Sequence, residues 1–129
     1  MGQSLTRLVY RSRSLLAGTK SDRLAQIEAI LQTARPRNHA TGITGLLHFD
    51  GASFKQIIEG SPDGVERLYE AIACDGRHEE LVILELKAVQ EREHAAWSMA
   101  FVAAITEEED EPTTRGPRPL REATPGSAL

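Results

Sequence analysis

The sequence predicts an α+β domain in which two helices lie on one face of a mixed five-stranded sheet, and three observations carry that expectation. Short runs of alternating or β-branched residues flank two segments of helical periodicity. An Asp-Gly pair joins the second and third of those runs, as a tight hairpin requires. Residues that start or stop helices stand at the ends of both helical segments. The order that results, β-α-β-β-α-β-β, is a ferredoxin-like βαββαβ pattern with an extra fifth strand.

Residues 5–12, LTRLVYRS, make the first strand, with Leu8, Tyr10 and Ser12 on one face and Arg7, Val9 and Arg11 on the other. Ser21 caps the first helix, along which Leu24, Ile27, Ile30, Leu31 and Ala34 recur at helical spacing, and Pro36 stops it. Asn38 then falls just past the helix end. The second strand runs from Gly42 to about Phe49, turns at Asp50-Gly51, and returns as SFKQIIEG. Ser61 as N-cap and Pro62 at the first helical position open the second helix. Its inward residues are Val65, Leu68, Ile72 and Ala73, and Gly76 is its expected C-cap. LVILELKAV supplies the fourth strand; AAWSMAFVAAI supplies the fifth, with Trp97, Met99, Phe101 and Ala103 on one face.

Two helices cover one sheet face only. The other face mixes Val9, Ile57, Ile83, Val89 and Val102 with Lys55, Glu85 and Lys87, and no later helix is evident to cover it. A half-apolar face of that kind predicts a homo-oligomer or a protein partner.

Composition narrows the function. From Glu107 onward the chain holds four of the six prolines, six acids and three arginines, so this stretch accounts for −3 of the net charge of −4. Residues 107–129 therefore read as a disordered acidic, proline-rich tail and residues 1–106 as the folded domain. A nearly neutral domain with few aromatics lacks the footprint of a nucleic-acid binder. No apolar run approaches the ~20 residues a membrane span needs. The single cysteine, Cys74, forms no internal disulfide and fits a reducing cytoplasm. The histidines and the cysteine have no metal-ligand spacing.

The covered face carries unusual polarity. Period two puts Gln56 beside Phe54 and Ile58, under the helices, where Tyr10 also points and near which Asn38 lies. Each of these residues has a plainer explanation alone: a core tyrosine, a surface glutamine, a helix-end asparagine. Together, a phenol and two carboxamides suit a flat heterocycle with alternating carbonyl and N–H edges, because a buried amide left unpaired costs about 1–3 kcal/mol.

With these residues in place the sequence resembles the BLUF family of blue-light sensors that use FAD. The resemblance runs from Leu5 to about Ile105 and rests on LVYRSRS, on NHATGITGLL from Asn38, on FKQIIEG around Gln56, on DGRH from Asp75 and on WSM from Trp97. It implies a flavin, FAD with FMN or riboflavin as alternatives, held between the two helices. It also implies residue roles. Tyr10 matches the photochemical tyrosine and Gln56 the glutamine between it and the flavin. Asn38 matches the asparagine on the pyrimidine edge, and Ile30 and Ile72 the residues that sandwich the ring. Arg77 and His78 fall at the polar edge or side chain of the flavin, and Trp97 and Met99 in the segment that switches. The implied protein is a photoreceptor and not an enzyme, with output through a downstream partner or self-association. Two other readings of the same fold pattern stand beside it. A small acyl-phosphate hydrolase would use Arg11 or Arg13 with Asn38, but the loop after the first strand lacks a glycine-rich anion cradle. A non-photoactive regulatory dimer would bind an amino acid or nothing.

Overall fold

The computed structural model describes residues 4–95 and 98–103. The elements are β1 (Leu5–Ser14), α1 (Lys20–Thr41), β2 (Thr44–Phe49), β3 (Ser53–Gly60), α2 (Pro62–Ala73), β4 (His78–Val89) and β5 (Ala100–Ala103). They form one mixed sheet of order β4-β1-β3-β2-β5, antiparallel except for the parallel β2–β5 pair. The expected ferredoxin-like arrangement with a fifth strand is therefore the observed one. Trp97 and the segment 107–129 lie outside the described residues.

Helix α1 departs from expectation at both ends. Its N-cap is Thr19 and not Ser21: the Thr19 hydroxyl accepts from Asp22 N, while Asp22 Oδ2 accepts from Thr19 N, a reciprocal capping box. Pro36 does not stop it. The helix runs on to Thr41, although an internal proline costs about 3 kcal/mol or more. What offsets the loss is tertiary: Asn38 is buried and donates to Ser98 O, and Arg35 donates to Met99 O, so the last turns clamp the segment before β5. Gly42, expected in β2, instead ends the helix at φ 73°, its N–H reaching the Asn38 and His39 carbonyls.

The hairpin at Asp50-Gly51 forms as expected. Asp50 Oδ1 accepts from Ala52 N and Ser53 N, and Gly51 takes φ 98°. Arg23, buried on α1, donates to Gly51 O at 2.7 Å and ties the hairpin tip to the helix layer. Between β2 and β3, Gly45 is required by space, since a Cβ there would lie 1.9 Å from Ile57 O. Ser61 and Pro62 open α2 as read from the sequence, but Cys74 and not Gly76 caps its end, and Ala73 faces solvent.

Strand alternation holds on β1 and β3. Leu8, Tyr10 and Ser12, with Phe54, Gln56 and Ile58, face the helices and are buried. It fails on β4, where the register against β1 slips between Val9 and Tyr10. Leu84 is the extra residue, and Ile83 consequently pairs with Tyr10 on the helix side instead of the outer face where simple alternation put it.

Candidate functional site

Tyr10 and Gln56 are direct cross-strand partners in the middle of the sheet. The Tyr10 hydroxyl donates to Gln56 Oε1. Burial, helped by the nearby Asp75 carboxylate and Tyr69, pushes the phenol well above its ordinary pKa, so Tyr10 keeps its proton and acts as donor. Gln56 stands with its oxygen toward Tyr10 and its nitrogen toward Met99 Sδ, 3.5 Å away. A thioether is a weak acceptor and is the single partner, among the described residues, for two N–H donors. Met99, next to β5, is itself buried.

Asn38 reaches the same region from the end of α1. Its Nδ2 donates to Ser98 O at 3.0 Å, and its Oδ1 accepts from Arg37 Nε and Nη2 at 3.3 and 3.2 Å. Asn38 and Gln56 are thus joined through residues 98 and 99. Ile30 on α1 and Ile72 on α2 are both buried.

Arg77 and His78 are buried and engaged with protein groups. Arg77 forks onto Asp75, Nε to Oδ1 at 3.0 Å and Nη2 to Oδ2 at 2.8 Å. His78 lies between Ser12 Oγ, 2.6 Å from Nδ1, and the Ile72 carbonyl, 2.7 Å from Nε2. A carbonyl only accepts, so Nε2 carries the hydrogen and Nδ1 takes the serine hydroxyl. His78 therefore braces the end of α2 against β1, and its ring meets Tyr10 edge-on at 6.0 Å. Ser12, Arg35 and Asp75 were not singled out as site residues from sequence. Ser12 shared a predicted face with Tyr10 and could have been found; the reach of Arg35 was hidden by ending α1 at Pro36.

The donor set fits a flat polar ring. Two buried carboxamides and a phenol present donors and acceptors, two β-branched side chains come from the helices, and the Gln56 amide retains N–H capacity that no good acceptor among the described residues uses. Among the described residues there is no cluster of His, Cys, Asp or Glu able to hold a metal. The hydrolase arrangement is not assembled. Arg11 is exposed on the outer face opposite Lys55, and Arg13 is held by Glu79 and Glu80, while Asn38 is buried beneath the other face.

Fold and site together define a small α+β domain with a Tyr–Gln pair buried beneath its helices. Residues 5–100 match the BLUF family, described as sensors of blue light using FAD. The chain belongs to the BLUF family. It is 34% identical over 97 residues to the photoactivated adenylate cyclase subunit beta of Euglena longa, a match covering 74% of this chain and 11% of that protein. Identity to the blue light- and temperature-regulated antirepressor BluF of Escherichia coli K12 is 36% over 80 residues, 62% of this chain and 19% of the antirepressor. The chain thus spans less than a fifth of either relative's length. Among solved structures, the dark state of the BLUF protein BlrB superposes with a TM-score of 0.71 at 35% identity, covering 80% of this chain and 75% of BlrB.

Proposed function

We propose that this chain is a blue-light receptor that binds flavin, FAD first among the possible forms, between α1 and α2, and that signals by rearranging the hydrogen bonds of Tyr10 and Gln56. The observation that carries the reading is the Tyr10–Gln56–Met99 chain, in which one amide end is well bonded and the other rests on a sulfur. Ile30 and Ile72 would flank the ring, and Asn38, Gln56 and Arg77 would meet its polar edge or side chain. His78 acts from behind, through the end of α2. Bound flavin supplies the blue-light absorption and the excited-state oxidising power.

The protein supplies the rest. Tyr10, protonated and buried, is the donor of an electron, and its proton has a ready path along the existing bond to Gln56 Oε1. Recombination returns both, so no net chemistry results. What persists is a turned or tautomerised Gln56 amide. A turned amide exchanges nitrogen for oxygen at Met99 Sδ, which ends that donor–acceptor contact and frees the segment carrying Trp97 and Met99 to move. Output then passes to a protein partner or to a second copy through the outer sheet face. There Val82 and Val102 are exposed. No helix of the described residues is long and apolar enough to cross a membrane, and a cytoplasmic setting belongs to the same reading.

The test is optical. Purified protein is expected to carry a flavin spectrum that shifts to the red under blue light and relaxes in darkness. Tyr10→Phe should keep the flavin and lose the shift. Colourless protein that rejects added FAD, FMN and riboflavin defeats the reading, and a normal shift in Tyr10→Phe defeats the role of Tyr10.

A further inference from the structure

Of the five large hydrophobic side chains exposed among the described residues, four lie on β4: Val82, Ile83, Leu84 and Leu86. β4 is an edge strand, and α2 packs over β1 and β3, so no helix of the described residues lies directly above the inward side chains of β4. A groove of 660 Å³ runs between α2 and β4. Leu8, Ile83, Leu86 and Ala88 form its floor, and Val65 and Tyr69 its wall. Ile83 lines it because the bulge at Leu84 turns that side chain to the helix side. The α2 wall is acidic: Asp63, Glu66 and Glu70 line the groove at successive turns, all exposed, against one basic lining residue, Lys87.

We propose that this groove docks an amphipathic helix of another protein, with an apolar stripe on β4 and lysines or arginines along the flank that meets α2. The dimensions suit a helix. From Ile83 to Ala88 the floor is about 17 Å long at ~3.3 Å per residue, which is about 11 residues or three turns at 1.5 Å each. A helix there would lie beside α2 in the same layer, at the 8–10 Å axial spacing of packed helices. An exposed apolar floor with polar walls is the form of helix-in-groove recognition. Charge selects the partner. A second copy in a two-fold contact would set the acidic row of α2 against itself, whereas a basic helix neutralises it. The inference stands on β4 and α2 alone and needs no flavin.

A stapled helical peptide of about three turns, with leucines at i, i+3, i+4 and i+7 and lysines elsewhere, is the probe. Fluorescence anisotropy with the full chain should give saturable micromolar binding. A peptide with glutamates in place of the lysines should not bind. Leu86→Ser and the double variant Glu66→Lys/Glu70→Lys should each weaken binding roughly tenfold or more, about 1.4 kcal/mol. Glu28→Lys, on an exposed position of α1, should leave it unchanged. All four positions are exposed, so circular dichroism is expected to report an intact fold. Equal binding by the glutamate peptide, or groove variants that bind like wild type, overturns the proposal. So does a concentration-dependent dimer that Leu86→Ser dissociates, because the occupant would then be a second copy.

Discussion

Strands β1 and β3 carry two polar pairs three residues apart, on opposite faces of the sheet, and the two pairs are built in opposite ways. Tyr10 and Gln56 face the helices and carry no charge; Arg7 and Glu59 face outward and are both charged. Each pair grips the chain between β4 and β5. Glu59, fully buried, accepts the backbone N–H groups of Glu93 and His94 at 3.0–3.1 Å, while Arg7 reaches Glu93 at 2.9 Å. Gln56 reaches Met99 only through sulfur. One end of the segment is therefore anchored by charge-assisted bonds, and the other is held by a contact weak enough to exchange. A switch needs that asymmetry: a loose point can transmit motion only relative to a fixed one.

Breaking the anchor should have the largest effect. Glu59→Ala leaves Arg7 without its buried partner and two backbone donors without an acceptor, a loss of about 3–5 kcal/mol, to be read from urea unfolding. A loss under about 1 kcal/mol would make Glu59 an ordinary surface carboxylate. The pairs should also part company with pH. Burial works against the Glu59 charge, but the Glu93 and His94 N–H groups and Arg7 outweigh it and hold the carboxyl below its ordinary 4.5. Its contribution is complete above that value and is lost as pH falls through the folded pKa. For Tyr10, raised well above 10.0 chiefly by burial, the contribution is complete below 10.0 and is lost as pH rises through the folded value. Stability measured against pH should show the Glu59→Gln deficit shrinking in acid, and Tyr10→Phe spared the alkaline loss of the wild type.

Removing the neutral pair should cost less stability and more function. Gln56→Leu leaves the buried Tyr10 hydroxyl without its acceptor, about 1–3 kcal/mol, and should abolish the normal light-induced red shift. A normal shift in that variant, measured on flavin-loaded protein, would return Gln56 to a purely structural role.

The two pairs were not equally legible in the sequence. Tyr10 and Gln56 could be placed on one inner face because strict alternation survives on β1 and β3, and the motifs around them identified the family. Glu59 could not: its importance comes from backbone donors in a loop more than thirty residues away, which no local pattern encodes. The same limit explains the errors elsewhere. Pro36 reads locally as a stop, but α1 continues because its last turns are bonded to Ser98 and Met99 across the fold. Ile83 reads as outward by counting, and a bulge visible only in the pairing with β1 reverses it.

The smallest stability change belongs to Met99→Leu, which probes the loose contact directly. Leucine fills nearly the same buried volume, so the cost should stay below about 1.5 kcal/mol. It removes the only acceptor that Gln56 Nε2 has among the described residues, and so takes away the feature that favours oxygen toward Tyr10 over the turned amide. If the sulfur holds the dark arrangement, the variant should retain the red shift but relax more slowly in darkness, because the turned state has lost a competitor. A recovery rate equal to wild type, with the fold intact, would mean that Met99 acts by packing alone and that the Tyr10 bond by itself sets the amide.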